Sequence, residues 1–187
     1  MQKEKLLIIG SGPAGYAAGL YTGRASLEPL MLTGIEMGGQ VSLTYEVDNF
    51  LGFPDGTTGP ELIEQMKQHV EKFGAQLVME EATEVDFSKG GPFRVEAHSE
   101  EYEAEAVIVA TGASPRRLGI PGEEEFIGRG VSFCATCDGF FFRDKEVLVI
   151  GGGDSALEEA IFLTRFAKRV RVVHRRDELR ASVALTN

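Results

Sequence analysis

The chain has 187 residues, of which 43% are hydrophobic and 26% charged, enough apolar material for one domain core or two small ones. Its net charge of −10 argues against nucleic acid as a general partner. No apolar run is as long as a membrane span or a signal-peptide core, so we expect no membrane association and a cytoplasmic location. The charge is uneven: residues 1–164 carry 12 Lys and Arg against 27 Asp and Glu, whereas residues 165–187 carry 7 against 2. This basic end predicts an anion site, with a solvated helix face as the alternative.

The first part of the chain predicts a strand–helix–strand unit. Residues 5–10 form an apolar run ending in glycine, typical of a buried parallel strand, and residues 14–25 place small and apolar residues at helical spacing. A second strand is predicted at 27–33. Residues 60–74 begin with proline and end with glycine, which predicts a helix. The turn-rich loop before this helix is long enough to indicate a function.

The middle of the chain changes character before the opening pattern returns. Residues 76–106 alternate apolar and polar residues around turns and predict a small antiparallel meander. Residues 106–113 predict a buried strand that returns to the first sheet, and 114–130, rich in Pro, Gly and charge, predict a linker. Residues 145–180 then repeat the order strand, glycine turn, helix, strand. Two such units predict an α/β protein with two Rossmann-like nucleotide-binding domains.

The first glycine turn, GSGPAG at residues 10–15, fits G-x-G-x-x-G between a predicted strand and a predicted helix. In this pattern Gly10 allows the tight turn, and Gly12 lets a pyrophosphate approach the backbone. Gly15 lets the helix pack closely on the strand. The free N–H groups at the start of the helix would then hold the phosphate charge. The turn therefore predicts a dinucleotide site.

The ends of the second strands distinguish the two units. An acid that binds a ribose is expected after the second strand of the first unit, but Thr33 and Gly34 stand there and leave Glu36 as the candidate.

The second turn, GGGDSA at 151–156, fits G-x-G-x-x-A. A basic run follows its second strand: His174, Arg175, Arg176 and then Arg180. Guanidinium groups in this place fit a 2′-phosphate, which predicts NADPH rather than NADH; a solvated basic helix start is the alternative.

The stretch FCATCDGFF, residues 133–141, contains both cysteines of the chain, two residues apart, and Asp138 follows them. Two cysteines are too few for a disulfide scaffold. A zinc site would need further ligands from histidines at spacings that match no compact zinc motif: His69, His98 or His174. Inert buried thiols are a second alternative. A dithiol–disulfide couple is favoured, because a CxxC pair has a thiol of lowered pKa and the nearby carboxyl can accept or donate its proton.

Six segments together resemble the bacterial low-molecular-weight thioredoxin reductases: GSGPAG, TGIEMGGQ, ATGASPRRLGIPGE, CATCDGFF, GGGDSALEEA and HRRDELRAS. The resemblance implies an FAD-binding domain at residues 1–113 and an inserted NADPH-binding domain with the redox cysteines at 114–187. It implies electron transfer from NADPH through FAD and the cysteine disulfide to thioredoxin, with the 114–130 linker as the hinge of a domain movement. A homodimer is implied for the full-length parent.

The resemblance also implies a set of site residues, without a metal. Cys137 would face the flavin, Cys134 would attack the disulfide of thioredoxin, and Asp138 would be the acid and base. FAD contacts would come from Gly10, Ser11, Gly12, Pro13, Ala14, Gly15, Thr33, Gly34, Glu36, Gly39, Gln40, Asn49, Val85, Ala110, Thr111 and Gly112. NADPH contacts would come from Gly151, Gly152, Gly153, Asp154, Ser155, Ala156, His174, Arg175, Arg176 and Arg180.

The final residues depart from the family pattern, which continues with a basic amphipathic helix where this chain has VALTN. We therefore expect both domains to be incomplete at the C-terminus. Two alternatives to a thioredoxin reductase stay open. One is the flavoprotein reductase of an alkyl hydroperoxide system, although such proteins usually carry an N-terminal thioredoxin-like extension. The other is an inactive nucleotide-binding fragment.

Overall fold

The computed structural model describes residues 1–44 and 46–186 and divides into two compact units, Met1–Ser114 and Pro115–Asn187. The first unit has six strands and two α-helices. They are β1 (Gln2–Ile9), α1 (Pro13–Arg24), β2 (Leu30–Leu32), α2 (Gly59–Lys72), β3 (Gln76–Val78), β4 (Ala82–Asp86), β5 (Phe93–Ala97) and β6 (Glu101–Val109). A short 3-10 helix, Gly39–Leu43, lies between β2 and α2. The predicted α/β class is confirmed.

The six strands form one mixed sheet in the order β3-β2-β1-β6-β5-β4. The first four strands are parallel to one another, and β5 and β4 continue the sheet in antiparallel pairing. Residues 76–78 are predicted as part of the meander, but β3 is the outer strand of the parallel part. Residues 101–106 and 106–113 are predicted as separate strands, whereas β6 is one strand that pairs with both β1 and β5. The meander is therefore an extension of the dinucleotide-type sheet.

The core lies on both faces of β1, because the side chains of a strand alternate. Leu6 and Ile8 pack with Tyr16 of α1 and Val70 of α2 on one face. The other face joins Leu7, Ile9, Leu30, Leu32, Val95, Tyr102 and Ala104. Each fully buried Leu or Ile stabilises the fold by about 1.5–3 kcal/mol. The end of β1, where the glycine turn begins, is thus held from both sides.

Helix α2 begins with a capping box. The Thr58 hydroxyl accepts the Glu61 N–H at 3.3 Å, and the Glu61 carboxylate accepts the Thr58 N–H at 3.2 Å. Both bonds satisfy donors that a helix start leaves unpaired. With 14 residues, α2 is the longest helix described, and none of the helices in residues 1–44 and 46–186 is long and apolar enough to cross a bilayer.

The second unit is smaller and contains α3 (Ala135–Asp138), β7 (Glu146–Ile150), α4 (Asp154–Leu163), β8 (Arg169–Val173) and α5 (Val183–Thr186). Strands β7 and β8 pair in parallel. Its core joins Ala135 of α3 to Val149 of β7 and to Ala160 and Leu163 of α4. The helix that carries the cysteines is therefore packed directly on the helix that follows the second glycine turn.

Candidate functional site

The first glycine turn has the geometry that its glycines predict. Gly10 has a φ of 112°, and a Cβ on it would collide with the Ala110 carbonyl oxygen. A Cβ on Gly15 would collide with the Gly10 carbonyl oxygen. By contrast, a Cβ on Gly12 would meet nothing within 4 Å. Gly10 and Gly15 therefore permit close backbone packing, and Gly12 leaves open space where a pyrophosphate can approach.

The loop after β2 is tied to this turn by Ser11, which is 3% exposed. The Ser11 hydroxyl donates to the Thr33 carbonyl oxygen at 2.7 Å and accepts the Gly38 N–H at 3.1 Å. A Cβ on Gly39 would lie 3.6 Å from the Gly12 Cα. Thr33 and Gly39, which are predicted to contact FAD, therefore lie beside the glycine turn.

The remaining predicted FAD contacts differ in how closely the structure joins them to the turn. The Ala110–Gly112 corner lies beside it, since the Ala110 N–H donates to the Ile9 carbonyl oxygen at 2.8 Å. Four others have exposed side chains: Glu36, Gln40, Asn49 and Val85. Val85 lies on β4, at the far edge of the sheet from β3, and is 43% exposed. No hydrogen bond in the described part of the chain links Asn49 or Val85 to the turn, and their assignment remains a prediction.

The second glycine turn connects β7 to α4. Gly151 has a φ of 151° and lies so close to Ala156 that a Cβ on it would be 2.7 Å from the alanine Cβ. The His174 ring packs against Gly152, where a Cβ would lie 2.6 Å from it. A Cβ on Gly153 would meet nothing within 4 Å. Like the first turn, the second therefore has two glycines that permit close packing, Gly151 and Gly152, and one, Gly153, that faces open space.

The basic residues after β8 lie beside this turn and are not helical. The Arg180 N–H donates to the Gly152 carbonyl oxygen at 2.6 Å, and the Ser182 N–H donates to the Asp154 carboxylate at 2.6 Å. The side chains of Arg175, Arg176 and Arg180 are exposed. The structure thus ties the backbone of the basic segment to the glycine turn at Arg180, and no helix begins between Arg175 and Arg180.

Cys134 and Cys137 form a disulfide, with their Cα atoms 5.2 Å apart. Cys134 is the N-cap of α3, and its sulfur accepts the Cys137 N–H at 3.2 Å. The Ser132 hydroxyl accepts the Cys134 N–H at 3.1 Å and fixes the approach to the helix. Asp138 ends α3 and is half-buried; within the described residues its carboxylate makes no hydrogen bond. In residues 1–44 and 46–186 no three His, Cys, Asp or Glu side chains gather as metal ligands would.

Two acids that the sequence analysis did not single out interact with backbone N–H groups of the second unit. Glu159 of α4 is half-buried, and burial raises the pKa of its carboxyl, while the Ala135 N–H at the start of α3 opposes the rise. Glu123 accepts the N–H groups of Leu118 at 2.8 Å and Gly119 at 2.7 Å, and these donors lower its pKa. Both acids lie within segments that carry the family resemblance, but nothing in those segments indicates these interactions, so only the fold reveals them.

Both helix starts can hold a phosphate. Helix α1 begins after Gly12 and α4 after Gly153, and in the described residues neither helix has a side-chain cap. Their first N–H groups are thus free to bind an anion next to an open glycine. The residues present therefore fit two dinucleotides, one in each unit, and the second unit also holds the Cys134–Cys137 disulfide.

The chain is similar to known proteins along nearly its whole length. The profile of the pyridine nucleotide-disulphide oxidoreductase family matches residues 4–185. The thioredoxin reductase of Vibrio cholerae is 50% identical over 185 residues, which are 99% of this chain and 58% of the relative. A bifunctional thioredoxin reductase/thioredoxin of Mycobacterium leprae is 55% identical over 96% of this chain and 39% of its own length.

Solved structures give the same result. The crystal structure of thioredoxin reductase from Streptococcus pyogenes has a TM-score of 0.89 and 48% identity, covering 98% of this chain and 60% of that one. The chain therefore spans a little over half the length of the thioredoxin reductases that it matches. Its Rossmann-type fold and its sequence place it in a single group: the chain belongs to the pyridine nucleotide-disulphide oxidoreductase family.

Proposed function

We propose that the chain carries the nucleotide-binding and dithiol part of a thioredoxin-disulfide reductase. In this function electrons pass from NADPH through FAD and the Cys134–Cys137 disulfide to oxidised thioredoxin. The observation that carries the proposal is that disulfide, which lies in the same unit as a dinucleotide turn flanked by arginines. The names of the relatives support it, and the Mycobacterium leprae relative joins a reductase and a thioredoxin in one chain.

The two glycine turns would hold the two cofactors. FAD fits the first turn, with Gly12 leaving room for the pyrophosphate and the loop around Thr33 and Gly39 beside it. NADPH fits the second turn, with Gly153 open and the arginines near the 2′-phosphate. When bound, FAD supplies the two-electron relay between a nicotinamide and a disulfide.

The contacts around the cysteines support different roles for the two sulfurs. Two electrons open the S–S bond, and a thiolate at Cys134 would then be stabilised by the Cys137 N–H that already points at this sulfur. The Cys134 thiolate would attack a disulfide of thioredoxin and form a mixed disulfide. The Cys137 thiolate would resolve it, which re-forms the Cys134–Cys137 bond and releases thioredoxin as a dithiol after it takes up two protons.

Other features implied by the resemblance belong to the same proposal. Asp138 would exchange protons with the cysteines, since it ends the helix that carries them. Asn49 and Val85 would complete the FAD site, and residues 1–113 and 114–187 would be the FAD and NADPH domains. A cytoplasmic location and a homodimer are proposed on the resemblance.

A spectroscopic titration of the purified chain tests the function. We expect the chain to bind FAD, with the flavin absorbance bleached by NADPH in the absence of oxygen. Thiol titration should then detect two thiols in each chain, because the sequence has two cysteines and both belong to the disulfide that the electrons open. Cys137→Ser should keep the bleaching but abolish the reduction of added thioredoxin. A chain that binds no flavin, or flavin that NADPH does not bleach, contradicts the proposal.

A further inference from the structure

The segment after β8 is fastened to the second glycine turn at two points. The first is the bond from the Arg180 N–H to the Gly152 carbonyl oxygen, and the second is the bond from the Ser182 N–H to the Asp154 carboxylate, each 2.6 Å long. Within the described part of the chain, residues 175–181 make no other hydrogen bond. These two bonds are therefore the hydrogen bonds that fasten the segment with the three arginines to the turn.

Of the two acceptors, only Asp154 is a side chain and can be changed without altering the backbone. It is the first residue of α4, so its carboxylate lies near the helix start at which a phosphate of a dinucleotide would bind. A negative charge there repels a phosphate, which argues against a direct role in binding one. The bond to Ser182 gives the carboxylate a different role, because it holds the basic segment against the turn.

We propose that Asp154 is a positioning residue that sets the preference for 2′-phosphorylated nucleotides by fastening the segment that carries Arg175, Arg176 and Arg180. The inference rests on the proposed NADPH site and adds a determinant of its specificity. With the fastening, the guanidinium groups are held near one place and lose less conformational freedom when they bind a phosphate. Without it, the adenosine and pyrophosphate contacts remain, and the 2′-phosphate contacts weaken.

Binding of 2′,5′-ADP and of 5′-AMP to the full chain, measured by calorimetry, tests the inference without FAD or turnover. We expect Asp154→Ala to weaken 2′,5′-ADP binding about three- to tenfold, the loss of one exposed charge-assisted hydrogen bond, and to leave 5′-AMP binding within about twofold. Asp154→Asn keeps an oxygen that accepts the Ser182 N–H, so it should retain most of the preference. Glu158→Ala is the matched control, because it removes one exposed negative charge from α4 one turn further on.

Trypsin provides a second measurement that needs no nucleotide. Cleavage after Arg175, Arg176 and Arg180, mapped by mass spectrometry, should be at least about threefold faster in Asp154→Ala than in the wild type, Asp154→Asn or Glu158→Ala, since a loosened segment is cut faster. Thermal unfolding of the four proteins checks that each is folded.

The possible results separate this inference from the function on which it rests. Tighter 2′,5′-ADP binding in both Asp154 variants would show that the carboxylate acts by repulsion, and that overturns the inference. If Asp154→Ala keeps the wild-type preference for 2′,5′-ADP over 5′-AMP and the wild-type rate of trypsin cleavage, the inference is also overturned, but the proposed NADPH site is not affected. If the wild type itself does not prefer 2′,5′-ADP to 5′-AMP, the NADPH assignment fails and the proposed role of Asp154 in specificity fails with it.

Discussion

Ser11 connects the first glycine turn to the loop that follows β2, and the predicted FAD site depends on this connection. Ser11→Ala leaves the buried Thr33 carbonyl and Gly38 N–H without the hydroxyl that pairs with both. We therefore expect the free energy of unfolding to fall by about 1–3 kcal/mol. Urea unfolding of the two proteins measures the change. Ser42→Ala is the control, since its hydroxyl donates to the Gly39 carbonyl at an exposed position. Equal losses in the two variants contradict the prediction.

Glu159 makes the stability of the second unit depend on pH. Burial raises the pKa of its carboxyl above the ordinary value of 4.5, although the Ala135 N–H opposes the rise. A carboxyl with a raised folded-state pKa contributes stability that is fully present below the unfolded pKa and is lost as pH rises through the folded pKa. Glu159→Gln cannot ionise and keeps an oxygen for the Ala135 N–H. Its stability relative to the wild type should therefore increase as pH rises from about 4.5 to about 7.

Urea unfolding at a series of pH values measures this effect. Glu158→Gln serves as the control because Glu158 is exposed on the same helix. We expect its difference from the wild type to change less with pH than that of Glu159→Gln. A Glu159→Gln difference that stays constant across the range contradicts the prediction.

At the scale of structural elements, residues 118–123 form a loop whose first two N–H groups bind the carboxylate of its last residue, Glu123. Glu123 is 5% exposed and accepts the N–H groups of Leu118 and Gly119. In Glu123→Ala these two donors lose their acceptor, so we expect their amide hydrogen exchange to be roughly tenfold faster. Exchange measured by NMR on the labelled chain checks the prediction. Glu124→Ala removes a neighbouring exposed charge and should leave both rates unchanged. Unchanged rates in Glu123→Ala show that the loop is held by other contacts.

The elements also show how far local sequence patterns predict the fold. Both strand–turn–helix units were predicted correctly, because a buried strand and a glycine turn are encoded within a few adjacent residues. The pairing of β3 was not, since its three residues form no pattern long enough to indicate a partner. In β6 the residues of 101–106 alternate and those of 106–109 are apolar, which reads as two strands. One strand satisfies both patterns because its first part pairs with the antiparallel β5 and its whole length pairs with β1.

The candidate site also contains residues that local patterns predict and interactions that they do not predict. The glycines, the cysteines and the arginines could be identified from the sequence because each belongs to a spaced motif. The hydrogen bond of Asp154 with Ser182 joins residues 28 positions apart, and the effect of the Ala135 N–H on the pKa of Glu159 spans 24 positions. Such contacts depend on how α4 packs against its neighbours, and no spacing in the sequence indicates them.

For the whole molecule, the distribution of charge bears on which ligand can bind. The net charge of −10 repels a dinucleotide at long range, yet residues 165–187 carry an excess of positive charge. Not all of these charges are available to a ligand. Arg169 and Arg171 of β8 lie 3.4 Å and 3.3 Å from the Glu146 carboxylate, whereas Arg175 and Arg176 make no ion pair within the described residues. The unpaired arginines should therefore attract the 2′-phosphate.

A pair of double variants separates this local effect from the overall charge. Arg175→Ala with Arg176→Ala and Arg169→Ala with Arg171→Ala each remove two positive charges, from −10 to −12, so long-range repulsion increases equally. We expect the first pair to weaken NADPH binding roughly tenfold or more, because charge-assisted bonds to the phosphate are lost, and to weaken NADH binding only slightly, through the added repulsion. The second pair should weaken both nucleotides slightly and equally. Fluorescence titration at low and high salt measures the four affinities. If the two double variants lose NADPH affinity equally, the overall charge rather than the basic segment determines binding, and the 2′-phosphate assignment is wrong.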